Sequence, residues 1–306
     1  MKYKALTGLI LVGLVLLGGC AKNQQTFTQT FAVAPGKLTE VKKEVQPKLD
    51  VYVPLRDQYA ASKHAKALED LNKSDHAQDY CYNCHSSEYR LAPQDAKPNV
   101  KQLSTSITCI VCHDLDNSDF RLRTTPLETC TNCHTAAVEI KPGIAVQHPQ
   151  KEMLMGKGAL EVPEMPSNKY KTGLTCIECH MPNQSHTFEA LTPQKALDQK
   201  VGSTCMMCHT KLTQKEFADK VAELQNDIDS NTKQLKKSLE ELKVTLDTAK
   251  SAGRDVSEAQ KLYDVAVTNE SFVENDGSKG IHNFEYSKAT LDVVQKKITA
   301  TMQALK

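Results

Sequence analysis

Ten of the eleven cysteines fall into five copies of Cys-x-x-Cys-His, and this repeat carries the chemistry of the chain. The copies are Cys81-Cys84-His85, Cys109-Cys112-His113, Cys130-Cys133-His134, Cys176-Cys179-His180 and Cys205-Cys208-His209. Two thiols three positions apart on a turn of helix reach the two vinyl groups of one porphyrin and form thioethers. The next residue then brings an imidazole under the iron. One copy alone also fits a zinc half-site or a redox dithiol. Five copies, each with His directly after the second Cys, point instead to five covalently attached haem c groups.

The ten histidines divide evenly. His85, His113, His134, His180 and His209 are the expected proximal ligands, which leaves His64, His76, His148, His186 and His282. Five further imidazoles for five haems predict bis-His ligation, with these five as distal ligands. His186 follows His180 by six residues and His76 precedes His85 by nine. Links that short hardly pass round a macrocycle, so both are expected to serve a haem other than that of the nearest motif. Methionine is the usual rival for the sixth position. Met153, Met155, Met165 and Met181 flank the fourth motif and are expected to pack against porphyrin.

Those groups need elements to hold them. Residues 59–211 contain all five motifs, roughly thirty residues per haem, which leaves little room for sheet. The expected fold is mainly α: a multihaem cytochrome c core of short helices and loops around packed haems, followed by a long-helix C-terminal bundle. With no Trp and few aromatics, the interior needs something besides side chains to fill it. A short helix over 58–71 is expected to carry His64. In 212–306, Val221, Ile228, Leu235, Leu242 and Ala249 recur every seven residues, the stripe of a long amphipathic helix ending near Gly253. A second helix is predicted from about Ser257, a loop at Asn275-Asp276-Gly277 before His282, and a last helix carrying Leu291, Val294, Ile298 and Leu305. Packing within the chain accounts for the stripe; a homodimer through the C-terminal helices is the sharper reading.

The first residues place these groups in a compartment. Met1-Lys2-Tyr3-Lys4 precedes an apolar stretch from Ala5 to Gly19, the layout of a secretory signal and too short to span a bilayer comfortably. Leu17-Gly18-Gly19-Cys20 resembles a lipobox, so residues 1–20 are read as a lipoprotein signal peptide with Cys20 as the lipidated residue. Residues 21–58, polar and containing Pro35, Pro47 and Pro54, read as a tether. Without Lys2 and Lys4 the chain has 36 bases against 37 acids, a net charge of −1, before ten haem propionates are added. With that excess of acid, nucleic-acid binding is not indicated. The expected location is outside the cytoplasm, lipid-anchored to a membrane and facing the periplasm or the cell exterior.

From about His64 to the C-terminus the chain resembles the pentahaem cytochrome c nitrite reductase family, the ammonia-forming c552 type. The similarity rests on the five motifs and on Gln147-His148-Pro149 between the third and fourth. Cys179-His180-Met181-Pro182 followed by His186, and Gly280-Ile281-His282-Asn283 in a helical tail, complete it. The resemblance implies a mainly α fold with long C-terminal helices that often form a homodimer. In that family the first haem is catalytic, is typically held by Cys-x-x-Cys-Lys, and binds nitrite beside an Arg, a Tyr and a His. Here the first motif ends in His85, and Thr135-Ala136-Ala137-Val138-Glu139 lacks the family's Glu-Tyr pair. Ala145 stands where the family has the Lys of its calcium site, which weakens the expectation of bound calcium.

Two main functions follow, with a structural subunit of a larger haem conduit or filament as a third. The first is an electron carrier, passing electrons through a chain of bis-His haems to redox partner proteins. The second is a nitrite or related nitrogen-oxyanion reductase, in which the first haem is open and His148 is the catalytic residue that orients or protonates substrate.

Overall fold

The computed structural model describes residues 53–115 and 120–306. The signal peptide, Cys20 and nearly all of the tether lie outside the described residues. Thirteen α-helices are described. Ten are short: α1 Val53–Ala61, α2 Ala67–Asn72, α3 Tyr82–His85, α4 Ser87–Leu91, α5 Cys109–Cys112, α6 Pro126–Thr131, α7 Gln150–Met155, α8 Asn168–Lys171, α9 Ile177–His180 and α10 Pro193–Asp198. Three are long: α11 Gln214–Ser251, α12 Ser257–Asp276 and α13 Phe284–Ala304. Among the described residues the only β pairing is an isolated bridge between His113 and Leu122.

The helix expected over 58–71 is divided. α1 ends at Ala61, and a 3-10 turn at His64–Lys66 separates it from α2. Ser62 causes the break, because its buried Oγ accepts from the Ala65 N–H at 3.4 Å and restarts the helix. His64 thereby sits on a tight turn between two helices.

α11 starts from a reciprocal cap. The Thr213 N–H donates to Glu216 Oε2 at 2.8 Å, and the Glu216 N–H donates to Thr213 Oγ1 at 3.2 Å. Its 38 residues extend for about 57 Å. The helix stops at Ser251, and Gly253 takes φ +77° beyond it, a conformation that costs glycine little. Ile228, Leu235, Leu239, Leu242, Leu246 and Ala249 of the stripe are buried against α12 and α13. Phe272 and Tyr286 fill the centre, both wholly buried, with ring centroids 6.0 Å apart at 77°. The stripe is thus used in packing within the chain.

The loops between the third and fourth motifs join this bundle through buried polar bonds. The Val146 N–H donates to Ser271 Oγ at 2.9 Å, and Asn275 Nδ2 donates to the Val146 carbonyl at 2.7 Å. The Ala159 N–H donates to the Tyr286 hydroxyl at 2.9 Å, and Asn269 holds both the N–H and the carbonyl of Leu160. Met153 is wholly buried in the same core and accepts from Ser287 Oγ at 3.2 Å. It therefore packs against the helical bundle, where sequence had placed it against porphyrin. The motif-bearing part has a thinner core of its own, with small buried sites such as Leu68, Leu71 and Ile107.

Candidate haem-ligating site

Each Cys-x-x-Cys-His copy lies on or at the end of a short helical element, α3, α5, α6 and α9 for the first four and the 3-10 turn Thr204–Met207 for the fifth. The N–H of the motif histidine donates to the carbonyl of the first cysteine in four of the copies. These bonds are His113 to Cys109 at 2.8 Å, His134 to Cys130 and His180 to Cys176 at 2.9 Å, and His209 to Cys205 at 3.0 Å. In the first copy Cys84 and His85 lie within α3. An i to i+4 bond of this kind stacks the first cysteine and the histidine one turn apart, with the second cysteine between them. None of the ten motif cysteines is in a disulfide.

The fold brings eight of the ten histidines into pairs. Ring centroids lie 5.9 Å apart for His85 and His148, and 6.0 Å apart for His64 and His134. They are 6.2 Å apart for His113 and His186, and also for His180 and His282. Two imidazoles that share one metal ion each hold a nitrogen about 2 Å from it. With the half-widths of the rings added, their centroids stand roughly 6 Å apart. Every pair joins one motif histidine to one outside the motifs, so the donor set and its spacing fit axial ligation of a haem iron. His148 takes φ +57°, an uncommon left-handed conformation for a side-chain-bearing residue.

His186 faces His113 and not His180, so the six-residue link runs to a different motif. His209 and His76 are both exposed, and neither meets another histidine ring among the described residues, which include all ten histidines. The His209 ring instead lies 4.6 Å from that of Phe217 on α11.

Second partners orient these rings. Nδ1 of His85 bonds the Ala67 carbonyl at 2.9 Å, that of His180 the Phe188 carbonyl at 3.2 Å, and that of His186 the Gln184 carbonyl at 2.8 Å. His113 Nδ1 bonds the Phe120 carbonyl. Each such bond fixes the proton on Nδ1 and leaves Nε2 as the free donor atom. His282 differs: its Nδ1 bonds a carboxylate oxygen, Asp276 Oδ1, at 2.6 Å. Asp276 is buried and also accepts from the Ser278 N–H at 3.3 Å. Sequence reading placed Asp276 in a loop and missed this role. The signal available was an acidic residue six positions before the histidine, with the turn-forming Gly277 between them.

Burial also sets the protonation of the rings. It pushes His134 down to about 4, with repulsion from His64 and His148 adding to the effect. Burial, then a neighbouring His85, lowers His64 and His148 in the same way. The neutral imidazole so favoured is the form that binds a metal.

The thiols show how the motifs lie against one another. Cys84 and Cys133 act on each other's ionisation, as do Cys130 and Cys176, and Cys84 Sγ lies 4.0 Å from the Asn132 carbonyl oxygen of the third motif. After burial, the neighbours that act most on Cys112 and Cys179 are Cys133 and Cys205 respectively. The first and second motifs therefore border the third, the third borders the fourth, and the fourth borders the fifth.

Turns of Cys-x-x-Cys-His with paired imidazoles define a c-type cytochrome site. The chain belongs to the cytochrome c552 family, which it matches over residues 49–306. Members of that family bind haem c covalently, and the multihaem cytochromes below share the fold. The outer cell wall cytochrome OcwA is 34% identical with a TM-score of 0.67, over 79% of this chain and 49% of that one. An undecahaem cytochrome from the S-layer of Carboxydothermus ferrireducens is 25% identical with a TM-score of 0.58, over 78% and 40%. The cytochrome c nitrite reductase from Desulfovibrio desulfuricans is similar in fold, with 15% identity and a TM-score of 0.57, over 79% and 70%. The chain spans about half the length of OcwA and less of the S-layer cytochrome. No curated protein matches it. Among the described residues no helix is long and apolar enough to cross a membrane.

Proposed function

We propose that the chain is an exported pentahaem cytochrome, tethered to a membrane by a lipid on Cys20, that carries electrons to redox partner proteins. The observation that carries this reading is the set of four imidazole pairs at 5.9–6.2 Å, above all His85 with His148. When bound, haem c supplies a one-electron couple at each motif. The protein supplies ligand identity, burial and nearby charge, which set the potential of each site. The thiol contacts support a continuous path, since both early motifs border the third and the series then runs to the fifth. The outer-wall and S-layer settings named for two relatives support a place outside the cytoplasm.

The reductase reading requires an open first haem with His148 beside substrate. A His148 ring 5.9 Å from that of His85 has the spacing of a ligand pair, which supports the carrier. EPR of the fully oxidised holoprotein, with and without nitrite, separates the two. The expected result is a low-spin first haem whose signal nitrite leaves unchanged. A high-spin first haem that nitrite converts, with reduction of nitrite to ammonia that is lost in His148→Ala, would establish the reductase.

A further inference from the structure

Eight histidines are paired within the chain, and two single ones remain at separated places. His209, the motif histidine of the fifth copy, is exposed beside exposed Cys208 and Met207, the latter 81% accessible. His76 is exposed in the connection between α2 and the 3-10 turn at Asp79–Cys81, among exposed Lys73, Ser74 and Asp75. Its own main-chain N–H bonds Ser74 Oγ at 3.3 Å. His76 is five residues from Cys81, so it lies within about 18 Å of the first motif. The thiol contacts put the third and fourth motifs between the first and the fifth. The chain thus presents an unpaired imidazole at one end of its series and a motif histidine lacking a partner imidazole at the other.

We propose that His76 of one copy is the distal ligand of the fifth haem, held by Cys205, Cys208 and His209, of the next copy. The proposal rests on the pentahaem reading above. A contact between two different surfaces of the same chain is heterologous, so it propagates head to tail and either closes into a ring or extends as a filament. Each junction sets the first-motif end of one copy against the fifth motif of another, so the series of redox sites continues across copies. The single His76 supplies what the internal pairing leaves short by one, and no copy has both ends satisfied until it has two neighbours.

The test uses the full-length holoprotein in solution. Pyridine haemochrome counts haems first; fewer than five per chain refutes the parent reading and this one together. Light scattering after size exclusion then gives mass, and EPR gives spin state, for wild type and His76→Ala across a concentration series. Wild type is expected to assemble with rising concentration, with one-fifth of its iron high-spin when dilute and all of it low-spin when assembled. His76→Ala is expected to keep the mass of one chain throughout and one-fifth of its iron high-spin. Added free imidazole should return that fifth to low-spin without restoring the mass. Five low-spin haems in a single chain, or a His76→Ala protein with unchanged mass and spin state, would overturn the proposal and leave the carrier reading standing.

Discussion

Replacing Asp276 by Asn should raise the potential of one haem and leave the others in place. The Asp276 carboxylate bonds the His282 imidazole, whereas the Nδ1 partners described for His85, His113, His180 and His186 are main-chain carbonyls. A carboxylate at 2.6 Å pulls the Nδ1 proton, makes Nε2 a stronger donor, and favours the oxidised iron. A hydrogen bond to a charged group contributes about 1.5–3 kcal/mol, against about 0.5–1.5 for a neutral one, so the exchange removes roughly 1–2 kcal/mol. The side chain of Asp276 is 1% exposed, so water replaces little of that loss. For a one-electron couple, about 1.4 kcal/mol corresponds to about 59 mV. The fourth-motif haem, for which His180 and His282 are the proposed ligands, should therefore move up by about 40–85 mV. A spectroelectrochemical titration of wild type and Asp276→Asn, resolved into its components, reads the shift directly. A component that stays within about 10 mV of its wild-type value, or moves down, would refute the assignment of Asp276 as the group that sets this potential.

Three other outcomes are open to direct measurement. His148→Ala should convert one haem to high-spin and create a site that binds cyanide or nitrite, seen as a new EPR signal in a protein with unchanged haem content. Glu270 is buried on α12 with Oε1 lacking a partner, and burial, then Glu274, raises its carboxyl to about 7 against the pull of Lys236. Its folded value is above the unfolded one, so stability falls as pH rises from about 4.5 to 7 and is level beyond. Glu270→Gln should remove that fall and add about 2 kcal/mol at pH 8, after an allowance for solvent screening, measured as the difference in melting temperature between pH 5 and pH 8. Gly156 takes φ +64°, and a Cβ there would stand 1.9 Å from the Met165 carbonyl oxygen. Gly156→Ala should cost roughly 2–3 kcal/mol and lower the melting temperature by several degrees, because the contact is backbone and cannot turn aside.

The motifs and the long helices were legible because their information is local. Five Cys-x-x-Cys-His copies are read within five residues each, and the stripe through Ile228, Leu235 and Leu242 needs only a seven-residue count. The end of α11 before Gly253 and the start of α12 at Ser257 match their sequence signals. The break after α1 was not legible, since a buried Ser62 capping a new turn looks in sequence like any serine in a helix. Nor was the imidazole pairing: His64 meets His134 and His180 meets His282 across 70 and 102 residues, and no spacing rule encodes that. The expected loop at Asn275-Asp276-Gly277 proved to be the last turn of α12, with Gly277 at φ +72° closing it and aiming Asp276 at His282.

The polar bonds between the inter-motif loops and the bundle have a consequence for the order in which the chain takes shape. Val146, Ala159 and Leu160 are held by residues 109–129 positions later, on helices that are synthesised after them. His282, too, follows its partner His180 by more than a hundred residues. Contacts of such separation must wait for the chain to close a large loop. All five Cys-x-x-Cys-His sites therefore emerge, accessible to the machinery that attaches porphyrin, before the C-terminal helices exist to enclose them. The bundle is a clasp whose two halves are joined across that separation.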